Sequence, residues 1–151
     1  MSAPGAGWVN SARPRVFLAM LKEARHEIEV VGCGGGRPLL ILNALNGKVI
    51  TTVAETHGAD EVWYNSGDNR FYAPSGFGAN PTLSVINAET GVLLNNVPAG
   101  PGVHSVAAFR GNNHIFVPIG TPTATATTDT CNVMFDLPAK QGCIAVYAHE
   151  R

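Results

Sequence analysis

The chain repeats itself every 44 residues, and that period restricts the folds open to it more than any other property. Gly58-Ala59-Asp60-Glu61-Val62-Trp63-Tyr64 is answered by Gly102-Val103-His104-Ser105-Val106-Ala107-Ala108. Gly67-Asp68-Asn69-Arg70-Phe71-Tyr72-Ala73-Pro74 is answered by Gly111-Asn112-Asn113-His114-Ile115-Phe116-Val117-Pro118. In the other direction, Ser84-Val85-Ile86-Asn87-Ala88-Glu89-Thr90-Gly91 answers to Leu40-Ile41-Leu42-Asn43-Ala44-Leu45-Asn46-Gly47. Short apolar runs parted by turn residues, at a period of roughly 40–45, describe one small antiparallel sheet per repeat, each burying a face against the next.

The strands follow from the pattern. The middle repeat reads as 59–65, 69–75, 82–87 and 92–97, with Ala88-Glu89-Thr90-Gly91 as its last turn. The first has Ile28–Gly32, Leu39–Asn43 and Lys48–Val53, with Gly32 and Gly34 set against Gly76 and Gly78 and a tight Asn46-Gly47 turn that needs positive φ. The third gives 103–109, 113–119 and 143–148 and then the chain stops. The weakest stretch is 15–25, whose composition alone reads as an amphipathic helix. The period instead makes Val16–Leu21 an innermost strand and Lys22–Arg25 its turn, and we favour the strand.

These readings give an all-β chain of β-propeller blades: three four-stranded antiparallel blades, the last incomplete. Residues 1–13 are a tail or an orphan outer strand around Trp8-Val9. Blades cover 14–57, 58–101 and 102–151, the last interrupted by an insertion at 120–142 that opens with the low-complexity run Thr121 to Thr128. Three blades cannot close a ring, which takes roughly four to eight. The chain is thus expected to be part of a larger ring, or half of one that a homodimer closes with six blades. In the second case each N-terminal strand completes the partner's third blade.

Composition narrows the partners. A formal net charge of −1 gives no electrostatic footprint for nucleic acid, and no apolar run is long enough to span a bilayer. The first residues show neither the basic nor the apolar segment of a signal peptide. Of three cysteines, Cys131 and Cys143 close a short loop and can pair, leaving Cys33; three reduced thiols are the other reading.

Asn69-Arg70-Phe71-Tyr72-Ala73 and Asn113-His114-Ile115-Phe116-Val117 stand where the YVTN-type propellers carry their Asn-x-Val-Tyr-Val core. Leu83 to Gly91 and Ile144-Ala145-Val146-Tyr147 match that group's third strand. Over about 28–148 the chain resembles these lactonase-like and amine-dehydrogenase-like seven-bladed proteins. The resemblance implies a propeller fold, an extracytoplasmic setting and, with it, the Cys131–Cys143 disulfide. It does not choose among hydrolase, oxidoreductase and pure binding scaffold.

In such an architecture the outer-to-inner loops and the second-to-third-strand loops share one end, which collects His57, Asp60, His104 and the insertion. Asp60 and His104 hold equivalent places in adjacent repeats, so their side chains are expected to converge. A carboxylate beside imidazoles suits a divalent metal on Asp60 and His104, or general acid–base work. The plainer reading is a polar rim that binds a small molecule or a protein without catalysis or cofactor, and it is the one we favour. A metal-dependent, lactonase-like hydrolase is the alternative. Glu61 and Ser105 are expected to bond between repeats, and Trp63 and Tyr64 to pack there. Gly32-Cys33-Gly34-Gly35-Gly36 lacks the Lys-Ser/Thr of a phosphate loop and reads as a strand connection. His114 and His149, at a hairpin and at the chain end, are expected to be solvated.

Overall fold

A computed structural model describes residues 16–18, 27–77, 80–121 and 130–149. They form three antiparallel sheets and one short helix. The first sheet runs in the order β1 (Val16–Leu18), β2 (Ile28–Cys33), β3 (Pro38–Asn43), β4 (Val49–His57). The second is β5 (Trp63–Asn65), β6 (Arg70–Ser75), β7 (Thr82–Asn87), β8 (Leu93–Pro98). The third has three strands, β9 (Ala107–Phe109), β10 (His114–Ile119) and β11 (Cys143–Tyr147), with helix α1 (Thr130–Phe135) before β11. The strand reading of Val16–Leu18 holds, paired antiparallel with Val31–Cys33. Expectations for 1–13, for the rest of Val16–Leu21, for Lys22–Arg25 and for most of the low-complexity run fall outside the described residues.

The period is written into the backbone. Positive φ recurs at Gly47 and Gly91, at Gly58 and Gly102, and at Asn69 and Asn113, each pair 44 apart. These are the residue types that enter the left-handed region at least cost. Asn43 and Asn87 each use Oδ1 to accept two backbone N–H groups of the following turn, at 2.9–3.1 Å. Even the irregularity repeats: β4 slips against β3 between Ile41 and Leu42, and β8 slips against β7 between Val85 and Ile86.

One strand breaks step. Val30 pairs with Ile41, whereas Tyr72 pairs with Val85, so β2 maps onto β6 at 42 residues while β3 maps onto β7 at 44. Gly32 therefore corresponds to Pro74 and Gly34 to Gly76, which corrects the matching expected from sequence. The connection before β2 is two residues longer than its counterpart and the one after it two shorter. Strand register is held by side-chain alternation, so a slip of two keeps every side chain on its face.

The second sheet is buried on both sides, as alternation along β6 and β7 requires. Phe71, Ala73 and Ile86 join Val30, Leu39, Ile41, Val53, Ala59 and Val62 in one core. Tyr72, Leu83 and Val85 join Val103, Val106, Ile115, Val117, Ile119 and Ala145 in another. Polar bonds cross both seams. Thr56 donates to Ser84 at 2.5 Å, and Ser84 donates to Asn96 at 2.6 Å. Asn65 donates to Asn113 at 3.0 Å, and Glu61 accepts from the Val106 amide at 3.3 Å, the bond between repeats expected of it. Backbones also come close: a Cβ on Gly32 would sit 2.5 Å from the Ala59 carbonyl oxygen.

The far face of the third sheet is different. Phe116 pairs with Val146 and Pro118 with Ile144, the equivalents of Tyr72 with Val85 and Pro74 with Leu83. In the second sheet that face is covered; in the third, Ile144 is 65% and Val146 50% exposed. A Cys131–Cys143 disulfide ties α1 to the head of β11 and seats Cys131 in the core between the second and third sheets. Cys33 is free.

Candidate functional site

Strand directions sort the connections onto two ends. One end holds 34–37, 58–62, 76–77, 80–81, 99–106 and the described parts of the insertion, 120–121 and 130–142; the other holds the hairpin turns 44–48, 66–69, 88–92 and 110–113 and residues 148–149 after β11. His57, Asp60 and His104 all lie at the first end. His57, exposed at the end of β4, has Nδ1 3.2 Å from the Gly36 carbonyl, while its own carbonyl accepts from Ser75 Oγ. Asp60 is half-buried and His104 exposed, in the segments that lead into β5 and β9. No hydrogen bond joins them to each other or to His57, and no group of three His, Cys, Asp or Glu side chains gathers for a metal among the described residues. The same end exposes apolar side chains on the insertion: Val133, Met134, Phe135 and Leu137.

A tighter constellation lies at the opposite end. The β5–β6 turn delivers Asp68, the head of β6 carries Arg70 and Tyr72, and the segment after β11 brings in His149 from 81 residues away. Asp68 Oδ2 accepts from the Tyr72 hydroxyl at 2.5 Å and from His149 Nε2 at 3.0 Å. The Tyr72 oxygen is also 2.7 Å from Nε2. Arg70 Nη1 lies 2.8 Å from His149 Nδ1 and 2.9 Å from Nε2. Both sets of partners are satisfied by the neutral tautomer with its proton on Nε2, facing the carboxylate, and Nδ1 accepting from Arg70. Asp68 Oδ1 is buried and has no hydrogen-bond partner among the described residues.

Burial, the bond to Asp68 and the charge of Asp68, in that order, hold the Tyr72 hydroxyl far above the ordinary tyrosine value. It keeps its proton through any neutral pH, which suits a fixed donor and not a base or nucleophile. Sequence reasoning set His149 aside as solvated. The structure leaves it exposed, at 37% for the side chain, and adds what sequence reasoning missed: three side chains from another sheet engage it. Trp63, expected between sheets, is 40% exposed. Tyr64 does pack there, 5.4 Å ring to ring from Phe71.

Beside this cluster a cavity of about 360 Å³ opens between the outer edges of the second and third sheets. Arg70, Tyr72 and His149 form its polar end; Leu83, Val85, Val97 and Ile115 form its apolar wall, and Tyr147 closes one side. The Tyr147 hydroxyl donates to the Pro98 carbonyl at 3.1 Å and so fixes the two edges relative to each other. Asp68 is not part of the lining. Its carboxylate sits behind the hydroxyl and the imidazole and orients both.

Comparison with family models, curated proteins and solved structures finds no match for this chain.

Proposed function

We propose that the chain is a small-molecule-binding module built of propeller-type blades, with its site in the cavity between the second and third sheets. The observation that carries this is the pairing of an apolar pocket with a few convergent polar groups, here a guanidinium, an imidazole and a phenol whose orientations are fixed by hydrogen bonds. Binding sites are typically of this kind, at roughly 300–1,000 Å³. The protonated Tyr72 and the twice-anchored His149 favour holding a ligand over transforming one. The blade reading is supported by three meandering sheets stacked face to face at a common period. The apolar far face of the third sheet favours a further sheet of the same kind as its cover, and a second copy of the chain is the source to test by mass in solution.

The site is tested with a neutral apolar fluorophore such as N-phenylnaphthylamine. One saturable site is expected, lost when Ala148, which also lines the cavity, is replaced by Trp (Ala148→Trp), and unchanged by Asp60→Asn or His104→Ala at the other end. Binding indifferent to Ala148→Trp would overturn the proposal. A stoichiometric metal, lost on changing Asp60 and His104, would move the function to the lactonase-like hydrolysis expected of that end.

A further inference from the structure

The lining of the cavity has a sign. Among the described residues no Asp or Glu lines it, while Arg70 does. Arg70 is half-buried and forms no ion pair with any described carboxylate; the nearby Asp68 carboxylate is taken up by the Tyr72 hydroxyl and His149 Nε2. Its Nη1 is held by His149, and the Tyr72 hydroxyl lies beside the same guanidinium. Within the lining the guanidinium faces no carboxylate, so an anionic head placed there gains a charge-assisted hydrogen bond. The planar fork is shaped for two parallel bonds to a carboxylate. Beyond the guanidinium the wall is mainly apolar, with Leu83, Val85, Val97 and Ile115, and Asn95 is a polar residue at its edge.

Resting on the binding reading above, we infer that the ligand class is a small amphipathic carboxylate, its head on Arg70 and its hydrocarbon body along β7, β8 and β10. His149 acts as a positioning residue: it accepts from one Arg70 nitrogen and is itself held by Asp68, so the open side of the fork faces the cavity. Asp68 does not line the cavity; the hydroxyl and imidazole it holds stand between its carboxylate and the head, which therefore meets the guanidinium first.

The test is displacement of the neutral fluorophore by octanoate, octanol and octylamine, which share one chain length and differ in the head. Octanoate is expected to displace at a concentration at least about tenfold lower than octanol, the scale of a charge-assisted hydrogen bond. Arg70→Met is expected to abolish that preference and leave octanol unchanged. A measurement on the unaltered protein guards against a misfolded variant: raising the salt concentration should weaken octanoate and not octanol. Equal displacement by octanoate and octanol overturns the carboxylate class while the cavity reading stands. Preference for octylamine overturns it in favour of a cationic ligand read by Asp68. Failure of the fluorophore itself to bind sinks the cavity reading and this inference together.

Discussion

The second and third sheets are written from the same repeat and live in different surroundings. Leu83 and Val85 are 1% and 5% exposed, whereas their counterparts Ile144 and Val146 are 65% and 50% exposed. The sequence at those positions is apolar in both. The difference lies only in whether another sheet stands opposite. Identical patterning thus carries about 25 cal/mol per Å² of burial in one place and leaves the same area in water in the other.

A charge at each of the two equivalent positions is the hardest test of that contrast. Leu83→Asp is expected to abolish folding, because it buries an unpaired carboxylate, while Ile144→Asp should leave the melting temperature of the monomeric chain close to its original value. If Ile144→Asp is as damaging, the far face is covered in solution. Next in size is the disulfide. Replacing Cys131 and Cys143 together by Ser should cost about 2–4 kcal/mol, and hydrogen exchange should rise in β10 and β11 well before β2 and β3. Equal loosening of all sheets would mean that the bond does not belong to the third sheet in particular.

Smaller effects sharpen the comparison at the seam. Tyr72→Phe removes the donor to Asp68 Oδ2 where Phe116, its counterpart, has no hydroxyl; about 1–2 kcal/mol should be lost. Tyr72 also sets a pH dependence. Its folded value is raised above the ordinary 10.0, so its contribution is complete below pH 10 and is lost as pH rises above that. Denaturation midpoints should fall between pH 10 and 11 in the native protein and fall less in Tyr72→Phe. Last, Ser84→Ala should cost about 1 kcal/mol, as it breaks the Thr56–Ser84–Asn96 relay, and an unchanged midpoint would assign that seam to apolar packing alone.

What could be read from sequence was whatever is local and repeated. Arg70–Ser75, Thr82–Asn87 and His114–Ile119 form within a residue of where the 44-residue step puts them, because Asn-Gly turns, Asn side-chain caps and alternation all act over a few positions. The two-residue slip of β2 was hidden because the longer and shorter connections cancel. The polar cluster was hidden for another reason. Asp68 and His149 are 81 residues apart and hold no equivalent places in the repeat: Asn112 is the counterpart of Asp68 and makes a turn bond to the His114 amide instead. The sole local sign was Asp68-Asn69-Arg70 beside a tyrosine, which the repeat explained as a hairpin. Conversely, Asp60 and His104 stood out because the period aligned them, and His57 because its loop shares their end; all three do lie at that end.

The bulge that recurs between Ile41 and Leu42 and between Val85 and Ile86 has a geometric sequel. An extra residue on the rim strand increases coil there, so neighbouring sheets splay like the leaves of a half-open book. A second fissure duly appears between Thr51, Val53 and Glu55 of one leaf and Thr90 to Leu93 of the next. Each added leaf therefore brings a fresh crevice whose lining can be altered without disturbing the spine.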